Sequence, residues 1–290
     1  MGFVDKITGF FGALGESSHV VGTFPFWLKV LSLLSALYVL IFGGVFIYYY
    51  SRNAALLKAS AILSAIERQA LSGDVPAMTE LSFSDSPRAF DIISSVLRNN
   101  LDEKIRVEAV NLLSNSKDSR KVQVLGDTLV SEKWLVAQAC ARALGRSNDP
   151  KSIPYLLLAL KLKVDWVVAQ ASAEALGRFP PNDSIARALV SAMDAGESFE
   201  AEAAKQSLVH FGEFSLPYLL RNAETSTSAG GLIRTISTIR ILAPADSQGA
   251  LTSLRQSRIR ILQNPDLAQN KALTEEYQMT IGELSDRGKQ

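Results

Sequence analysis

The 290-residue sequence is short of the residues that most often build reactive sites. It has one cysteine, Cys140, and two histidines, His19 and His210. A lone cysteine excludes an intrachain disulfide framework and any metal centre made of several thiolates. An excess of charge of one sign is lacking too: 30 basic residues face 29 acidic ones, for a net charge of +1. A protein that works by coating nucleic acid needs a basic surface, so no nucleic-acid partner is expected. No His-Glu-x-x-His, Gly-x-Ser-x-Gly or Gly-x-x-x-x-Gly-Lys-Ser/Thr string occurs. Cys140 sits in a run of small residues, which points to a buried structural thiol rather than a nucleophile. Asp149, Asp165 and Asp183 fall near successive turns, where forming or capping the turn is the ordinary role of aspartate. The chain therefore reads as non-enzymatic, with no catalytic residue, no metal site and no cofactor.

What the sequence has in excess is apolar residues at its start. Mean hydropathy is +0.12, high for a soluble chain, and 12 of the 23 aromatic residues lie in the first 50 positions. Val30–Tyr50 is a run of 21 residues without a charge. As a helix, at about 1.5 Å per residue, it spans about 31 Å, the thickness of a bilayer's hydrocarbon core. Lys29 and Arg52 bracket the run. Phe24, Phe26 and Trp27 before it, and Tyr48, Tyr49 and Tyr50 at its end, are the aromatic belts expected at headgroup level. A single transmembrane helix is expected over residues 26–51. A cleaved signal peptide fits poorly, since the run is long and ends without small residues.

The flanks of this span carry their own signals. Phe3, Val4, Ile7, Phe10, Phe11 and Leu14 share one helical face. Residues 1–22 are therefore an amphipathic segment whose residues 3–15 lie on lipid or, equally, pack on a partner membrane protein. Within the span, Ser32, Ala36, Gly43 and Gly44 offer a small-residue face to a second helix, which leaves a helix-mediated oligomer open. Lys6 and Lys29 precede the span while Arg52, Lys58 and Arg68 follow it, a slight bias toward a cytoplasmic C-terminal domain. A juxtamembrane helix is expected over 52–80, stopping at Gly73-Asp74-Val75-Pro76.

Beyond residue 80 the sequence repeats. The pattern of Ile105–Ser114 returns as Val136-Ala137-Gln138-Ala139-Cys140-Ala141-Arg142-Ala143-Leu144-Gly145. At nearly the same spacing it returns again as Val168-Ala169-Gln170-Ala171-Ser172-Ala173-Glu174-Ala175-Leu176-Gly177. A weaker copy runs over Glu200–Val209, and a fifth over Arg234–Leu242 with its spacing slipped by about two residues. Trp134 and Trp166 each stand two residues before the valine, and Arg146 and Arg178 each follow the glycine. Between copies lies a second helical pattern, Pro154-Tyr155-Leu156-Leu157, repeated as Pro217-Tyr218-Leu219-Leu220. Each unit is thus a helix, a turn and a second helix. The small residues allow close helix packing, and Gly145 and Gly177 suit left-handed residues that stop a helix.

At these residues the chain resembles HEAT repeats of the short bacterial type, the phycobilisome-lyase-like class, over roughly residues 86–262. The resemblance implies an all-α, right-handed α-solenoid of about five helix pairs that binds proteins along a curved surface. It also implies an arginine at the second position of each copy, paired with a loop. That position is Arg106 in the first copy but Ala137 and Ala169 in the next two. The repeat domain is expected over 81–262, with a C-terminal capping helix and tail over 263–290.

On this reading the candidate partner-binding residues are Trp134, Gln138, Arg142 and Arg146 in one copy and Trp166, Gln170, Glu174 and Arg178 in the next. Asn111, Glu202 and Gln206 continue the same ridges. The expected function is a scaffold or adaptor, anchored by one span in what the resemblance implies is a bacterial inner membrane. It would bind protein partners and help assemble or regulate a membrane complex. Two alternatives stand beside it: a bilin lyase-like chaperone of a chromophore protein, and a periplasmic domain that contacts the cell envelope.

Overall fold

In the computed structural model the alanine-rich copies are helices packed side by side. The structure describes Gly43 and residues 65–289, except residues 85, 133, 163, 164, 196, 197, 245 and 246. The chain divides into two compact units, Met1–Leu63 and Ser64–Gln290, and the second holds the repeats. The expected amphipathic segment and transmembrane span lie outside the described residues. So do Ser32, Ala36 and Gly44, while Gly43 is helical. Among the described residues, no helix is long and apolar enough to cross a membrane.

Among those residues there are fifteen α-helices and no strand. They fall into pairs: α1 (Ala65–Leu71) with α2 (Val75–Ser82), α3 (Pro87–Asn99) with α4 (Glu103–Asn115), and α5 (Lys121–Ser131) with α6 (Trp134–Ser147). Then come α7 (Ile153–Leu162) with α8 (Trp166–Leu176), α9 (Asp183–Ala195) with α10 (Ser198–His210), and α11 (Leu216–Thr225) with α12 (Ala229–Leu242). In the last pair α13 (Gln248–Leu262) packs on α15 (Lys271–Arg287), with the short α14 (Pro265–Ala268) between them. The second helices form one layer in which α2, α4, α6, α8, α10, α12 and α15 touch in succession. The first helices form the other layer, continuous from α5 through α13. The described unit is thus a two-layered helical solenoid.

The second layer packs most tightly where its residues are smallest. Ala137, Ala141 and Ala143 of α6 and Ala169, Ala173 and Ala175 of α8 are buried. Without longer side chains at these positions the helix backbones approach closely. Gly145 and Gly177 both serve this approach, and neither is the left-handed terminator expected from the sequence, although Gly177 does end α8. Gly145 lies inside α6, and a Cβ there would stand 2.7 Å from the Ala175 Cβ. Gly177 is right-handed (φ −64°) and faces Ser207 of α10. The left-handed residue that follows α6 is Asn148, with φ 49°.

The stack extends past both ends of the repeat that the sequence marks. Within the expected juxtamembrane helix, α1 ends at a turn where Gly73 has φ +94° and a Cβ would press on Asn100 and Ile105. Asp74 then caps α2 by accepting from the Ala77 N–H (3.3 Å). Both helices pack on the next pair. The slip noted at the fifth copy is also absent from the packing. The buried Gly231, Leu232, Thr235 and Ile239 follow the buried Glu200, Ala201, Ala204 and Leu208 at the same spacing that separates Ile105 from Val136. Arg234, Thr235 and Thr238 replace the small apolar residues of earlier copies and hide that register.

Candidate partner-binding face

Positions four apart fall on one side of a helix, advancing slowly around it. Trp134, Gln138, Arg142 and Arg146 therefore form a stripe along α6, and Trp166, Gln170 and Glu174 a parallel stripe along α8, with Arg178 in the turn just past its end. All eight are exposed or half-buried. Because α6 and α8 touch, the two stripes make one face. On α4 Asn111 is half-buried, and on α10 Glu202 and Gln206 are exposed, so the ridges continue on both sides.

The face has a chemical gradient along the helices. At the start of α6 and α8 stand the two tryptophans, 64% and 45% exposed. Trp134 holds a left-handed backbone (φ 59°), which is rare for a bulky side chain. The Trp166 ring also meets Phe199 at the start of α10, with centroids 5.2 Å apart and planes tilted by 31°. In the middle the Gln170 amide donates to the Glu174 carboxylate (2.8 Å), and the Gln206 amide reaches Glu202 (3.4 Å). Toward the far end stand Arg142, Arg146 and Arg178, none of which holds an ion pair among the described residues. Glu174 is the sole carboxylate among the eight, so the face presents net positive charge.

Phe199 was not among the sequence candidates. Its distance from Trp166 is one position longer than that from Trp134 to Trp166, so an alignment in register passes over it.

Other expected roles sort differently. Asp165 caps α8, accepting from the Val167 N–H at 2.8 Å, and Asp149 caps the turn before α7, accepting from the Lys151 N–H at 2.9 Å. At α9 the cap is Asn182, which accepts from the Ile185 N–H (3.0 Å). Asp183 instead accepts from the Tyr218 hydroxyl at 2.6 Å, which raises the pKa of that phenol. Cys140 is fully buried, and burial pushes its thiol well above the ordinary range. No group of three His, Cys, Asp or Glu side chains that could hold a metal ion occurs among the described residues.

The first-helix layer has its own concavity, a cleft of about 440 Å³ between α3 and α5. Arg120 fills one end, 2.7 Å from both the Asp91 and the Asp118 carboxylates and 4.7 Å above the Phe90 ring. Its hydrogen bond holds the Asp118 carboxyl below the usual range. This end of the cleft is satisfied internally.

The family model described as HEAT repeats matches residues 90–177. That stretch consists of HEAT repeats. It runs from α3 to the end of α8 and contains all of the candidate residues except Arg178, which follows it directly. Among curated proteins, none matches the chain. A similar solved structure is that of human deoxyhypusine hydroxylase in complex with glycerol, at 16% identity and a TM-score of 0.36. The likeness covers 77% of this chain and 95% of that one. At that level it assigns neither activity nor ligand to these HEAT repeats.

Proposed function

We propose that the protein is a membrane-anchored HEAT-repeat scaffold that holds an acidic segment of a protein partner against the face formed by α6 and α8. The observation that carries this reading is the pair of parallel stripes. Its three guanidinium groups are free of ion pairs among the described residues, and its single carboxylate is held by a neighbouring glutamine. Planar guanidinium groups suit bidentate contacts with carboxylates. Arg142 and Arg146 stand about one turn apart on α6 and Arg178 just past the end of α8, which sets their spacing. The anchor rests on the uncharged Val30–Tyr50 run and its aromatic flanks. Tethering would raise the local concentration of a membrane-bound partner, so modest intrinsic affinity suffices.

The test is crosslinking and recovery from native membranes with the full chain. Reversing two charges, Arg142→Glu with Arg178→Glu, should lower partner recovery by about tenfold or more, the effect of roughly 1.4 kcal/mol. Circular dichroism should stay unchanged, since both side chains are exposed. Undiminished recovery from a folded double variant would remove the reading.

A further inference from the structure

Where the second helices end, one position recurs in register along the solenoid. It holds Arg146 in the last turn of α6, Arg178 just past α8 and His210 at the end of α10. All three are exposed. Neither arginine holds an ion pair among the described residues. A cation at one helix C-terminus is ordinary, but three in register on helices that touch in succession form a row. The turns beside the row, residues 115–121, 146–151, 178–183 and 210–213, are all described. They hold six basic and four acidic residues, with His210 left uncounted. Three of the acids also have partners of their own. Asp118 pairs with Arg120 at 2.7 Å, Asp149 accepts the Lys151 N–H at 2.9 Å, and Asp183 meets Arg187 at 3.3 Å. With every acid counted, this edge is net basic.

The spacing of the row is set by the glycines beside it. A Cβ on Gly145 would stand 2.7 Å from the Ala175 Cβ, and one on Gly177 would stand 2.7 Å from the Ser207 Cβ. Each contact lies one residue before an arginine of the row and, on the next helix, three residues before its neighbour in the row. Helices in such contact have axes at the short end of the usual range of about 8–10 Å. A polyproline II segment returns a side chain to the same side at every third residue, about 9.3 Å. A β-strand does so at about 6.7 or 13 Å, and an α-helix at every seventh residue, about 10.5 Å. We propose that the acidic partner segment crosses the ends of α6, α8 and α10 as a polyproline II stretch with a carboxylate at every third residue. Arg146, Arg178 and His210 each donate to one carboxylate. The proposal rests on the reading of this face as a site for an acidic segment, and adds that segment's conformation, path and spacing of acids.

The test titrates the full chain, in detergent at low salt, with fluorescein-labelled peptides read by anisotropy. One is a proline peptide with glutamate at every third position, and the other has the same composition with glutamate at every second. The every-third peptide should bind about tenfold or more tightly than the every-second one. Arg146→Glu with Arg178→Glu should remove that advantage, and the milder Arg146→Gln with Arg178→Gln should act in the same direction. Replacing the prolines by glycine at fixed glutamate spacing should weaken binding several-fold, because a flexible chain must first be ordered. Equal affinity for the two proline peptides, with both lost on charge reversal, overturns the row and keeps the acidic segment. Equal affinity for the glycine and proline versions overturns the polyproline conformation. Every-third binding that survives charge reversal overturns both the row and the wider reading. No binding of any peptide overturns the row, and recovery of the partner by crosslinking then judges the wider reading alone.

Discussion

At Gly177 an added methyl group would stand 2.7 Å from the Ser207 Cβ, inside van der Waals contact. The same Ser207 hydroxyl donates to the Ala173 carbonyl at 3.0 Å, so the obstacle is itself fixed. Gly177→Ala must therefore push α8 and α10 apart, and overpacking of this kind costs about 1–3 kcal/mol. Chemical denaturation of the full chain should show that loss, whereas Gly249→Ala, with open space around its Cβ position, should lose nothing comparable. If the two variants denature alike, close approach is not what these glycines provide. Cys140 gives a second expectation at this scale. Its thiol is buried and its pKa raised, chiefly by loss of solvent and secondarily by the Glu132 charge, against a lowering by Arg106. A raised pKa contributes stability that is present in full below the ordinary 9.0 of a cysteine. Above it the unfolded chain ionises while the folded chain does not, and the contribution falls as pH rises. Disulfide-exchange reagents at pH 8 should leave the native thiol unmodified and titrate one thiol in denaturant. Stability should decline less steeply above pH 9 in Cys140→Ala than in the parent.

At the scale of the helix, the recurring device is an arginine that satisfies carbonyls at the end of a first-layer helix. Such carbonyls lack intrahelical donors and need a partner where water is excluded. Arg106 donates to the Leu97 carbonyl (2.7 Å) at the end of α3. Arg234 donates to the Met193 (2.8 Å) and Asp194 (3.3 Å) carbonyls at the end of α9. Arg260 donates to the Ala223 (3.1 Å) and Ser226 (2.8 Å) carbonyls at the end of α11. The three arginines do not share one repeat position: Ala137, Ala169, Ala201 and Leu232 stand where Arg106 stands in the first copy, so the later clamps come from other sites in their pairs. Arg234→Met keeps most of the aliphatic stem and removes the donors. It should cost about 2 kcal/mol, as for hydrogen bonds from a charged group, measured by denaturation. Cysteine labelling introduced at Ala195 should rise in that variant as the end of α9 loosens, and unchanged labelling would count against the clamp. Arg106 was legible in the sequence as a family feature. Arg234 and Arg260 were not, because their partners are backbone atoms a full repeat or more back along the chain, which leave no complementary residue type to notice.

At the scale of the whole molecule, the same contrast decides what sequence reading could reach. The two central copies announce themselves because alanine, glycine and a leading tryptophan recur in register, from Trp134 to Trp166 and from Gly145 to Gly177. The end pairs α1–α2 and α13–α15 have to cover the stack as well as continue it, so Tyr277 and Thr280 stand where small apolar residues stand elsewhere. Their helices keep the packing but lose the signature. The candidate face was legible for a related reason: the polar positions recur in register on helices whose other sides are fixed by burial. In a solenoid each pair is stabilised mainly by its neighbours, so loss of an end should propagate inward and fade. Helix α15 inserts Leu273, Tyr277 and Leu284, all buried, against α12 and α13. Deleting residues 271–290 would expose that surface and remove the Arg240 ion pairs to Glu276 and Glu283. Hydrogen exchange of the truncated chain should show the largest loss of protection in α12 and α13, a smaller one in α10, and little change in α6 and α8. Uniform loss across all helices would mean that the unit folds as one cooperative block, and the nearest-neighbour account of its stability would have to be abandoned.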